Sequence, residues 1–134
     1  MLGDEVALDT SVAIAILNGR GEASRWVLGF REIWLPVPTL GELHFGALNS
    51  ARPEENLSRI HAFSSQCKVL PAQRKTAEVY STLRLELKRK GKPIPENDLW
   101  IAAACVEHGL PLATADGHFR ELSQLTVVVV NSSR

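Results

Sequence analysis

Short apolar runs separated by amphipathic stretches set the tightest limit on what this chain can fold into. Glu5 to Leu8 reads as a short buried strand, and Ser11 to Leu17 continues from it as a helix. Asn18, Gly19 and Gly21 mark a turn, followed by a helical stretch from Glu22 to Phe30. Ile33 to Leu35 is a strand closed by Pro36 and Pro38. Thr39 to Asn49 is a helix, Pro53 opens another that reaches Gln66, and Lys68 to Leu70 is a strand. The longest helix spans Gln73 to Lys90, where Ala77, Tyr80, Leu83 and Leu87 draw one apolar stripe. The segment Gly91 to Pro95 ends it. Asn97 to Glu107 is apolar on nearly every side and therefore a buried helix. Leu112 to Thr114 and Thr126 to Val130 are the last strands. No repeat, low-complexity segment or linker interrupts residues 1–134, which read as a single domain.

Strands alternating with helices imply an α/β fold with a parallel sheet covered on both faces. Helices in such a fold run antiparallel to the strands. Strand C-termini and helix N-termini then share one edge, which is where α/β sheets bind ligands.

That edge collects acids. Asp9 follows the first strand, and Asp116 follows the strand ending at Thr114. Glu42 falls in the first turn of the helix from Thr39, and Asp98 in the first turn of the buried helix. Each has a plain structural reading as well. Thr39-x-x-Glu42 spells a capping box, and Glu42 is off the stripe of Leu40, Leu43 and Ala47. Asp98 suits the positive end of a helix, Asp116 before Gly117 suits a turn, and Asp9 could cap the helix after it. Together, however, four carboxylates on one edge raise each other's pKa. A hard divalent cation such as Mg²⁺ removes that cost and binds oxygen ligands while keeping several waters. It can also polarise a phosphoryl oxygen and acidify water. Clustered acids without a histidine or cysteine triad thus point to phosphodiester hydrolysis.

The segments LDTS (Leu8 to Ser11), TLGEL (Thr39 to Leu43), NDLWIAAA (Asn97 to Ala104) and TADGHF (Thr114 to Phe119) resemble PIN domains, and more narrowly the VapC-type toxins of toxin–antitoxin pairs. The order and spacing match over essentially the whole chain. The resemblance implies a PIN-like three-layer α/β/α sandwich with a central parallel sheet, and a Mg²⁺-dependent endoribonuclease in which Mn²⁺ can substitute. It implies Asp9, Asp98 and Asp116 as metal ligands, and Glu42 as a water-mediated ligand or a positioner of the attacking water. Thr10, Ser11 and Thr114 would hydrogen-bond the carboxylates or a metal-bound water. It further implies a homodimer, an RNA substrate and a cognate VapB-type antitoxin.

Lysine plus arginine balances aspartate plus glutamate at 15 each, so net charge does not speak for or against a nucleic-acid partner. Any such partner needs a local basic patch. Arg84, Lys88, Arg89, Lys90 and Lys92 supply one, with Lys90 and Lys92 as candidate RNA contacts. If their helix runs antiparallel to the strands, its end lies opposite the acids, although Gly91 to Pro95 leads back towards Asp98. His118 is a candidate general acid, but a surface loop position is the simpler expectation. Trp26, Trp34 and Trp100 are expected to fill the core or an interface rather than stack on bases. Cys67 and Cys105 show neither CxxC nor zinc spacing and read as reduced core thiols of a cytoplasmic protein. The N-terminus carries acids where a secretory signal is basic, and no run is long enough to span a bilayer.

Rival readings fare less well. A phosphoaspartyl hydrolase wants a second acid two residues after the first, where Ser11 stands. A receiver module needs a lysine at the end of a late strand, which this chain lacks, and would leave Glu42 idle. A pure binding module, its acids all caps, would show no dependence on Mg²⁺.

Overall fold

A computed structural model describes residues 4–131. Its centre is a sheet of five parallel strands: β1 (Glu5–Leu8), β2 (Glu32–Pro36), β3 (Lys68–Leu70), β4 (Leu112–Thr114) and β5 (Val127–Val129), in the spatial order β3-β2-β1-β4-β5. The chain winds outward from β1 to β3, then crosses back to place β4 on the other side of β1. The reversal leaves a crevice between the C-terminal ends of β1 and β4, the place where doubly wound sheets take ligands.

Alternation along the strands divides the core in two. Val6, Leu8, Leu35 and Ala113 face one side, where α1 (Thr10–Leu17), α2 (Ala23–Trp26), α3 (Val37–Leu48) and α4 (Pro53–Ser64) cover them. Ala7, Leu70 and Leu112 face the other, under α5 (Arg74–Lys90) and α6 (Glu96–His108). α6 buries Leu99 and every residue from Ile101 to Cys105. Its small alanines let the helix lie close on the sheet. Glycines in the left-handed conformation stop both helices of this layer, Gly91 at φ 67° and Gly109 at φ 65°, a backbone state open to glycine without penalty.

Several expectations need correction. The helical stretch from Glu22 to Phe30 is broken into α2 and a 3₁₀ turn, Val27–Gly29. α3 begins at Val37 rather than Thr39, because proline is well tolerated in a helix's first turn and Pro38 sits there. The Thr39–Glu42 capping box therefore does not form. Thr39 is fully buried, and its Oγ1 donates to the Leu8 carbonyl at 3.0 Å. Glu42 consequently lies in the second turn of α3. The expectation that every helix opposes the strands also fails for α5. Tyr80 stacks on Trp100 at 4.0 Å between centroids, and Arg84 lies 3.8 Å from Glu96. Thr76, at the opposite end of α5, hydrogen-bonds Glu107. α5 is thus antiparallel to α6, and its basic end lies beside the end of α6 that carries Asp98.

Among the described residues, no helix is long and apolar enough to cross a membrane. Cys67 and Cys105 are free thiols. Burial pushes the Cys67 thiol up to about 11, and burial followed by the nearby Asp9 charge pushes Cys105 up further. Neither is set up as a nucleophile. The tryptophans pack against the two cores or stack within the α5–α6 layer.

Candidate active site

Asp9 leaves β1 as the N-cap of α1 and is only 5% exposed. Its Oδ1 accepts from the Val12 amide at 3.0 Å and from Ser11 Oγ at 2.8 Å, and its Oδ2 accepts from Thr114 Oγ1. The helix cap and the candidate site residue are thus the same side chain. Burial raises the Asp9 pKa, with the Asp116 charge adding to the effect, while Thr114, Val12 and Ser11 pull the other way. A buried carboxylate held by three donors is a fixed, ionisable group whose charge is costly until a cation meets it.

Thr114, the last residue of β4, links two of the acids. It is fully buried, and its Oγ1 both donates to Asp9 and accepts from the Asp116 amide at 2.9 Å. Asp116 caps the 3₁₀ turn Gly117–Glu121 and accepts from the His118 amide at 2.9 Å through Oδ1. Asp98 comes from the first turn of α6, with its side chain 24% exposed. Burial is the main cause of its raised pKa; His118 opposes the shift, and Asp9, Glu42 and Asp116 reinforce it. The other three acids all act on Asp98, so the chain brings the four carboxylates into one electrostatic centre. Glu42 stands at its rim, held by the Thr10 hydroxyl. It borders a cleft of about 260 Å³ between α1, α3 and α4, lined also by Ile14, Arg59 and Ile60.

The expected solvent-facing His118 is instead part of this centre. Its ring is 27% exposed, with Nδ1 2.9 Å from Asp116 Oδ2 and Nε2 3.1 Å from Asp98 Oδ2. Nε2 is shielded from solvent and makes no aligned hydrogen bond despite that short distance. The adjacent Phe119 is fully buried and anchors the turn beneath it. The signal in sequence was the spacing of two residues from Asp116.

Among the described residues, no three acidic, histidine or cysteine side chains close tightly enough to enclose a metal ion. Asp9 is turned towards its hydroxyl and amide donors, and His118 stands between Asp98 and Asp116. The donor set is nonetheless all oxygen apart from one imidazole. Its mutual repulsion fits a hard divalent cation held partly through water.

Lys90 and Lys92 lie off this centre but on its side of the molecule. Lys90 pairs with Glu86 at 3.2 Å and donates to the Glu121 carbonyl, while Lys92 lies 3.6 Å from Glu121. Arg84 and Lys88 line a neighbouring cavity of about 490 Å³ with Glu96 and Leu99.

The PIN-domain family model matches residues 6–125. Ribonuclease VapC4 of Mycobacterium tuberculosis is 31% identical over 124 residues, which cover 91% of this chain and 94% of that protein. DNA-bound VapBC from Salmonella typhimurium superposes with a TM-score of 0.85 at 30% identity, over 96% of this chain and 98% of the solved one. VapBC-5 of M. tuberculosis, a member of the VapBC family of toxin–antitoxin systems, superposes with a TM-score of 0.77 at 28% identity, over 95% and 99% of the two chains. Matched from β1 to beyond the last acid, and similar to these proteins over nearly its whole length, the chain belongs to the PIN-domain family, among the VapC ribonucleases.

Proposed function

We propose that this protein is a divalent-metal-dependent endoribonuclease toxin, neutralised by a VapB-type antitoxin. One observation carries the reading: in a chain of VapC kinship, Thr114 joins Asp9 to Asp116, His118 spans Asp116 and Asp98, and Thr10, next to Asp9, holds Glu42, so the four acids gather at the crevice between β1 and β4. The ribonuclease name of its relative and the toxin–antitoxin complexes among its structural neighbours support the activity and the partner.

Asp9, Asp98 and Asp116 would hold Mg²⁺, or Mn²⁺ in its place. Bound there, the cation supplies Lewis-acid polarisation of the phosphoryl oxygen and a more acidic water. The chain supplies the rest. Thr114, Ser11 and the Val12 amide fix both oxygens of Asp9 and favour its charged form. Thr10 holds Glu42 at the rim, where its carboxylate can orient the attacking water and draw on its proton. Hydrolysis then adds water across one phosphodiester bond, the proton passing to the leaving oxygen. Lys90 and Lys92, with Lys88 and Arg89 on the same helix end, would bind the RNA backbone on one flank of the cut. A homodimer would place two such edges in one particle.

Inducing the chain without its antitoxin in a bacterial host tests this. Growth arrest with loss of one RNA class, absent from the Asp98→Asn variant, is expected. Arrest by both proteins alike would contradict a carboxylate-dependent ribonuclease.

A further inference from the structure

We propose that His118 acts as a placeholder, its imidazole occupying the same carboxylate oxygens that a divalent cation must take, so that the ring leaves Asp98 and Asp116 when the cation binds. The inference rests on the metal-dependent reading above and adds a conformational step to it. Three observations carry it. His118 spans the two acids, with nitrogens 2.9 Å from Asp116 Oδ2 and 3.1 Å from Asp98 Oδ2. Both oxygens of Asp116 are engaged by this one residue, Oδ2 by the ring and Oδ1 by the backbone amide. Finally, Nε2 is shielded from solvent and makes no aligned hydrogen bond, so its contact with Asp98 does not lock the ring in place.

The ring can leave without unfolding the site. Its backbone is pinned by the Asp116 cap and by buried Phe119, whereas the side chain has one partly open face and packs tilted on the Phe119 ring at 4.6 Å between centroids. A change of side-chain rotamer takes the ring off Asp116 Oδ2 and Asp98 Oδ2, while the backbone cap on Asp116 Oδ1 stays. The same anchoring keeps Asp116 in place, so the centre opens without losing a ligand.

Competition for common oxygens lowers apparent cation affinity by the fraction of molecules in the open arrangement. If that fraction is about one in ten, deleting the ring tightens binding about tenfold. The test is calorimetric titration of Mn²⁺ into the metal-free full chain and its His118→Ala variant, with Asp98→Asn as the control that should bind poorly. Tighter binding by His118→Ala supports the placeholder. Unchanged affinity overturns it, as does the drop of about 10- to 100-fold that follows loss of a ligand-orienting partner. A second readout does not depend on the variant folding: in wild-type protein, Mg²⁺ should shift the His118 ring resonances while leaving those of His44 in place. A ring that stays unperturbed at saturating Mg²⁺ overturns the inference alone. If neither wild type nor His118→Ala binds a cation, the inference falls together with the metal-dependent reading.

Discussion

Replacing Thr114 by valine removes one oxygen from the site while keeping its shape. Thr114 is fully buried, and its hydroxyl donates to Asp9 and accepts from the Asp116 amide at 2.9 Å. A hydrogen bond to a charged group contributes about 1.5–3 kcal/mol. The Asp116 amide, left facing a methyl but near solvent, costs about 1 kcal/mol more. Asp9 limits the damage, because its pKa is already raised and it can take up a proton instead of standing unpaired. A loss near 3 kcal/mol corresponds to a fall in melting temperature of roughly 10 °C for a domain of this size. Scanning calorimetry of the metal-free protein at neutral pH measures it. Thr114→Ser, which keeps both hydrogen bonds and loses one methyl, should fall by only about 1 kcal/mol. Thr114→Val melting within about 2 °C of wild type, or above Thr114→Ser, would refute the claim that this hydroxyl holds the centre together.

Phe119→Ala should destabilise by about 3–5 kcal/mol, since the ring is fully buried beneath the turn that carries Asp116 and His118; urea unfolding reports it. In metal-free protein, the raised pKa of Asp98 means that the folded state holds more protons than the unfolded state between about pH 4 and its folded pKa. Stability from this group therefore falls as pH rises through that window. Asp98→Asn should gain on wild type over the same window and show no gain in saturating Mg²⁺. Charge reversal at Lys90 and Lys92 should weaken RNA binding and flatten its salt dependence while leaving Mn²⁺ affinity unchanged; RNA binding equal to wild type would remove this helix end from the interface.

Three strands were legible to the residue, because Glu5–Leu8, Lys68–Leu70 and Leu112–Thr114 each carry two or three consecutive apolar residues in a run too short for a helix. Two of them end directly at Asp9 and near Asp116, so the acidic edge could be read from chain order alone. Tertiary context decided the rest. Thr39 looked like a cap, but the carbonyl of Leu8 needed a donor at the strand end, and the helix started earlier to supply it. The direction of α5 depends on its antiparallel packing with α6, set by the Tyr80–Trp100 stack and the Thr76–Glu107 contact rather than by any local propensity. His118 looked like a loop residue because a spacing of two carries no side-chain direction. Only the 3₁₀ turn capped by Asp116 aims the ring at Asp98.

Cleavage of total cellular RNA by purified, antitoxin-free protein bears most directly on the central claim that these four carboxylates form a metal-dependent ribonuclease. Wild type with Mg²⁺ or Mn²⁺ should cut, EDTA should abolish cutting, and Asp98→Asn should lower the rate by about 10²-fold or more. Cleavage that survives both EDTA and the substitution would contradict the account.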